Sequence, residues 1–161
     1  MPDNVLERLG RSKYQVFLDL TQDTTFTDSV WTRVKKSTQA TMTANEQTED
    51  YDYIDNDDTQ TEIVGNQIAI ALDQANIDGD DVYEFLEEMM VKFPTGESAK
   101  VPFLYLMGGS DKLAVRGIAS ISDKELSPTD RTISYTLNVL EKASGTYTIS
   151  EGVPVFTPDT P

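Results

Sequence analysis

The chain has 161 residues, enough for one domain with a real core, and carries a formal charge of −15 from 28 acids against 13 bases. It contains no cysteine and no histidine. That excludes a disulfide framework and thiolate chemistry, and it removes the usual general base, zinc ligand and triad base together. Hydrophobic residues at 38% and aromatics at 9% argue against disorder throughout.

In chain order, residues 1–13 read as a polar N-terminal arm. Met1–Gly10 has no apolar run, so no signal peptide is expected. The longest apolar stretches are too short to span a bilayer, and the expectation is a soluble protein made in a cytoplasm, with no membrane partner. Residues 14–20 alternate apolar Tyr14, Val16, Leu18 and Leu20 with Gln15 and Asp19, which predicts a strand. After a Thr/Asp-rich turn comes Val30-Trp31-Thr32-Arg33-Val34. In 38–45, Ala40, Met42 and Ala44 alternate with Thr41, Thr43 and Asn45, and threonine favours a strand over a helix.

Residues 37–91 then contain no Lys or Arg, yet hold 15 carboxylates. The other 13 acids are balanced by the 13 bases, so the whole net charge lies in this one segment. Charge so one-sided concerns surfaces and partners rather than fold. It argues against gripping phosphates, which needs Lys and Arg. Eight of the acids fall in the polar stretch 46–62, which reads as a long acidic loop. Ile68, Ile70 and Leu72 resume the alternation, so 38–45 and the returning strand are expected to form a large antiparallel hairpin around that loop.

One helix is predicted over 80–93. Asp81 with Glu84 fits a capping box, Val82, Phe85, Leu86, Met89 and Phe93 form an apolar stripe, and Pro94-Thr95-Gly96 stops it. Glu84, Glu87 and Glu88 fall on its outer face. Strands are expected again at 101–107, 112–121 and 131–140, with Gly145 turning the chain into Thr146–Ile149. The tail from Gly152 to Pro161 has three prolines and reads as an extended arm. The sum is a mainly β chain: an antiparallel two-sheet β-sandwich or open barrel with one flanking α-helix, a long hairpin loop and extended terminal arms. The division is an arm at 1–13, a β domain at 14–150 and a second arm at 151–161.

No catalytic constellation emerges. Among so many carboxylates no pair stands apart as a glycosidase pair would. Gln74–Phe85 matches a calcium loop only at Asn76, Asp78 and Gly79, and fails at its first and twelfth positions. Asn76–Asp81 more simply turns a strand into a helix. The group Asp50, Asp52, Asp55, Asp57 and Asp58 reads as a solvated loop before a weak cation site. Gly108-Gly109-Ser110-Asp111 lacks the Gly-Lys-Ser/Thr of a phosphate loop and reads as a hairpin turn. Trp31 reads as a buried or interface aromatic, and Met89 and Met90 as core. No catalytic, metal or cofactor-binding residue is assigned.

A hairpin tip too charged to bury, two extended arms and open sheet edges remain without a purpose in a tidy monomer. Ring closure of several subunits would remove the edges and give the arms something to reach. The order of elements resembles the major tail (tail tube) protein of long-tailed bacteriophages. The resemblance runs over about residues 14–150, through Val30–Val34, Ser37–Asn45 with its acidic insertion, Thr61–Ile68 as the returning strand, the Asp80–Phe93 helix and a strand-rich end. It implies a structural, non-enzymatic virion subunit whose six-membered rings stack into a hollow tube. DNA would pass through that tube during ejection without specific binding. The partners implied are further copies of the chain, the tape-measure protein, the tail terminator and the distal tail or initiator proteins. An inner tube of a contractile tail-like particle shares that fold. An acidic DNA-mimic inhibitor of a basic protein, and a calcium-stiffened adhesion domain, are the readings from other classes.

An acidic wall would keep DNA from sticking, since it releases no counterions and repels over roughly 8 Å at physiological salt. The loop acids would repel one another around a ring unless bases answer them. Arg8, Arg11, Lys13, Arg33, Lys35 and Lys36 are available, all N-terminal to the acidic block. The expected inter-subunit surface therefore joins Arg33, Lys35 and Lys36 of one copy to Glu49, Asp50, Tyr51, Asp52, Tyr53, Asp55, Asp57 and Asp58 of another.

Overall fold

A computed structural model of the chain describes residues 10, 13–55 and 57–159. The N-terminal arm expected at 1–13, with Arg8 and Arg11, lies almost wholly outside the described residues. Ten strands and one α-helix follow: β1 (Gln15–Asp19), β2 (Trp31–Arg33), β3 (Ser37–Thr43), β4 (Glu46–Tyr51), β5 (Gln60–Asn66), β6 (Ala69–Ala75), α1 (Asp81–Lys92), β7 (Lys100–Leu106), β8 (Leu113–Ser127), β9 (Thr132–Ser150) and β10 (Val153–Pro158). Every pairing is antiparallel. Eight strands make one sheet in the order β2-β1-β7-β8-β9-β6-β3, with β10 added on β9, and β4 and β5 make a second, two-stranded sheet. The large sheet is curled into a half-barrel, so the expected sandwich-or-barrel class holds.

Period-2 alternation sets which face is buried. Val16, Leu18, Ile70, Leu72, Phe103, Tyr105, Ile121, Ile133, Tyr135 and Leu137 line the concave face, and Val82, Leu86 and Met89 of α1 pack onto it. The opposite face carries a smaller cluster of Phe17, Leu104, Leu106 and Ala114, covered in part by Trp31, Tyr147 and Phe156. Strands β1 and β7 are thus buried on both sides, which suits their nearly unbroken apolar sequence. Trp31 lies in this second cluster and stacks on Phe26, with ring centroids 6.4 Å apart.

The helix sits where its stripe predicts, with two corrections at its ends. Asp80, not Asp81, is the N-cap: its side chain accepts from the Val82 N–H at 3.1 Å. Glu84 closes no capping box; its backbone N–H instead makes the first intrahelical bond, to the Asp80 carbonyl. Phe93 is no part of the stripe. It terminates the helix in the left-handed region at φ 50°, and its ring is 74% exposed. Glu84, Glu87 and Glu88 lie on the exposed face, as expected.

The region after residue 120 differs most from the sequence reading. Strand β8 runs on to Ser127 through a bulge at Asp123 (φ 51°), whose extra residues break the alternation. Strand β9 runs straight through Gly145 to Ser150, so Gly145 is not a turn. It is required there because β10 crosses close by: a Cβ would lie 2.1 Å from the Thr157 carbonyl oxygen. The turn comes later, at Glu151 and Gly152, both at positive φ, the geometry of a tight two-residue hairpin. The C-terminal stretch is extended, as its prolines suggest, but it is a strand paired with β9 over Val153–Pro158. Gly108–Lys112 is the hairpin turn expected between β7 and β8, closed by a bond from the Met107 N–H to the Leu113 carbonyl.

Candidate assembly interface

The hairpin expected around the acidic segment is present, but the segment is not a loop. Strands β3 and β6 pair as predicted, from Ser37–Gln74 to Thr43–Ala69. The chain then continues into β4 and β5 with no slip of register, since Glu46 pairs with Asn66. Asn45 makes the joint. It takes a positive φ of 47°, its side-chain amide donates to the Gln67 carbonyl at 2.9 Å, and its own carbonyl accepts from the Gln67 N–H at 3.3 Å. Most of 46–62 is therefore a ribbon projecting from the sheet, and the true tip spans 52–59. Threonine, tyrosine and β-branched residues at 48, 51, 61, 63 and 64 supply the strand propensity that a count of carboxylates obscures.

The ribbon is almost entirely solvent-exposed. Its acids are held locally: the Thr61 and Thr59 hydroxyls each donate at 2.6 Å, to Asp50 and Asp52 respectively, and the Tyr51 hydroxyl donates to Glu49 at 2.7 Å. That last bond is the largest cause raising the Tyr51 pKa. Tyr51 and Tyr53 stack, with ring centroids 5.9 Å apart and planes 18° apart. Glu49 faces Glu62 directly across the ribbon, a like-charge pair that destabilises it. At the tip Ile54 is fully exposed at 108%.

The basic half of the expected surface lies elsewhere. Arg33, Lys35 and Lys36 flank buried Val34 on the segment that carries the chain from β2 to β3. Those are the two edge strands of the large sheet, so this segment crosses the mouth of the half-barrel. The Val34 N–H donates to the Val16 carbonyl at 2.9 Å, and the Tyr105 hydroxyl reaches across the concave face to the Ala40 carbonyl at 2.8 Å. Between these ties opens a groove of about 700 Å³, with Arg33, Lys35 and Lys36 on its rim and Val16, Leu72 and Tyr105 at its floor. The ion pairs among the described residues, Lys92–Glu88 and Lys100–Glu97, involve none of the three rim bases.

Within one subunit the structure does not bring Arg33, Lys35 and Lys36 to the acids of 49–58; the two sets lie toward opposite ends of the β3–β4 rod. Two features escaped sequence reasoning. One is the apolar floor of the groove, built from three strands distant in sequence. The other is Arg116, whose guanidinium lies 4.3 Å from the Phe26 ring centroid and 4.7 Å from that of Phe156. It ties the 20–30 loop to the C-terminal strand, and partial burial lowers its pKa. Among the described residues no three His, Cys, Asp or Glu side chains converge to hold a metal ion, and no helix is long and apolar enough to cross a membrane.

A half-barrel sheet with one helix on its concave face, two open edges and a projecting ribbon is the architecture of a subunit that meets other copies through its edges. No family model matches the chain, and no curated protein does. Solved structures do. A chain from the tail of an empty gene transfer agent particle, solved by helical refinement with C6 symmetry, superposes with a TM-score of 0.62 at 14% identity, covering 88% of this chain and 100% of that one. A chain from the virion of a native gene transfer agent particle superposes with a TM-score of 0.58, also at 14% identity, covering 93% and 99%. The chain thus has the fold of a subunit of a phage-like tail over nearly its whole length.

Proposed function

We propose that the chain is a non-enzymatic structural subunit of a phage-like tail, self-assembling into stacked rings that form a hollow tail tube. The observation that carries this reading is the superposition on a gene transfer agent tail chain across the full length of that chain. A solvent-exposed ribbon and two uncovered sheet edges support it, because each is a cost to a monomer and a contact in an assembly. The C6 symmetry of that neighbour supports six copies per ring. In such a tube the copies would meet the tape-measure protein in the lumen and the terminator and initiator proteins at the ends. DNA would cross a wall with few bases to hold it.

Negative-stain electron microscopy of the purified protein over a concentration series tests this. The expected result is hollow tubes or stacked rings, with six-fold averages in end views. A species that stays monomeric at every concentration, and that captures one basic nucleic-acid-binding protein in stoichiometric amounts, would instead mark an acidic DNA mimic.

A further inference from the structure

The rod formed by β3 and β4 is electrically polar. At its base stand Arg33, Lys35 and Lys36; beyond its joint stand eight carboxylates between Glu46 and Glu62. From Lys36 to Tyr51 the chain advances at most about 50 Å at roughly 3.3 Å per residue. The ribbon points away from its own groove, because β3 begins at that groove and the ribbon continues from the other end of β3. The acidic tip of one copy is therefore placed to meet the basic groove of a different copy.

The two surfaces match in more than charge. The groove has a cationic rim over an apolar floor, and about 700 Å³ is room for several side chains. The tip carries Asp52 and Asp55 around Tyr53, which is 44% exposed, and Ile54, which is fully exposed. An isoleucine with no cover at the end of a charged ribbon is anomalous in a free subunit. Seated in the groove it would reach Val16, Leu72 and Tyr105, while the flanking carboxylates reached Arg33, Lys35 and Lys36. The Glu49–Glu62 pair, repulsive in the free ribbon, would gain cations nearby.

We propose that the groove at the mouth of the half-barrel is the receptor for the 52–59 tip of another copy, an acidic plug with an apolar point. The contact is heterologous, groove on one partner and tip on the other. It propagates head to tail instead of closing on itself, and it gives the stack of subunits a direction. The inference rests on the reading that this chain self-associates, and its test separates the two.

The test uses R33E/K35E/K36E, the tip variant E49K/D50K/D52K, and one chain bearing all six changes, each compared with the unaltered chain by sedimentation and electron microscopy. Each triple variant is expected to raise the critical concentration for assembly more than tenfold. The six-fold variant, and an equimolar mixture of the two triple variants, are expected to restore assembly, because in both every tip meets a groove of opposite sign. Recovery in the mixture also shows that both triple variants fold. A second measurement needs no charge change: T38C and T59C in one chain, which has no other cysteine, should give a ladder of disulfide-linked multimers on oxidation of the assembled protein. Triple variants that assemble like the unaltered chain, failure of both the mixture and the six-fold variant to assemble, or assembled T38C/T59C protein that gives no ladder, would overturn the docking. An unaltered chain that never assembles would overturn the tail-subunit reading itself.

Discussion

Tyr135 shows how one buried group couples the fold to pH. It is 1% exposed, and its hydroxyl donates to Gln74 Oε1 at 3.0 Å. Burial, with the nearby Asp80 carboxylate as a lesser cause, pushes its phenol far above the ordinary tyrosine value. The folded chain thus holds this proton more tightly than the unfolded one. The resulting stability is fully present below about pH 10, the unfolded value, and is lost as pH rises beyond it. Tyr135→Phe should cost about 1–3 kcal/mol at pH 7, because it leaves the Gln74 oxygen buried and unpaired. The variant should also lose stability less steeply than the parent between pH 10 and 11. Urea unfolding at both pH values checks this, and equal slopes would remove Tyr135 as the cause. None of it was visible in the sequence, where Tyr135 is one of four inward positions of an alternating strand. Its partner is 61 residues away, on a strand whose polar Gln74 occupies a core position that alternation alone would leave apolar.

At the scale of elements the ribbon β4–β5 is the exceptional one. A two-stranded ribbon alone in water is marginally stable, and here Glu49 opposes Glu62. In the free subunit the ribbon should be the first site of limited proteolysis, nicked within 46–62, and in assembled tubes it should be spared. Glu62→Lys replaces the like-charge pair with an opposite-charge one, worth about 0.2–1 kcal/mol to the ribbon. It should slow cleavage of the free subunit up to about fivefold where cleavage follows the open population. Digestion time courses of free and assembled protein read both effects, and equal cleavage in the two states would count against the ribbon as an interface. Strands β3 and β6 and the helix were readable because their apolar residues keep strict periods over seven or more positions. The ribbon was not, because its exposed faces impose no apolar period, and its carboxylates resemble the composition of a loop. Gly145 misled for a related reason. A glycine signals special backbone or close approach, and only the position of β10 shows that here it is the second.

At the scale of the whole molecule the charge is the property with consequences beyond one subunit. A net −15 confined to one segment gives each copy an acidic and a neutral part. An assembly that buries the bases of the groove against tips would leave DNA nothing to bind. Filter binding at 50 mM salt should show no retention of duplex DNA by assembled protein. Retention that weakens steeply with added salt would reveal exposed Lys and Arg contacts and contradict DNA passing without binding.

The sequence by itself determined the secondary-structure class, the antiparallel hairpin, the place of the helix and the segregation of charge. Each follows from local periodicity, capping chemistry or a count of side chains along the chain. Tertiary structure alone decided that the sheet curls into a half-barrel with β2 and β3 as its open edges, that the acidic segment is a rigid continuation of β3 and β6, and that three bases overhang an apolar groove. Those depend on which distant strands pair and on where bulges bend them. Nearest neighbours in sequence do not fix such pairings, since the same alternating pattern fits many strand orders equally well.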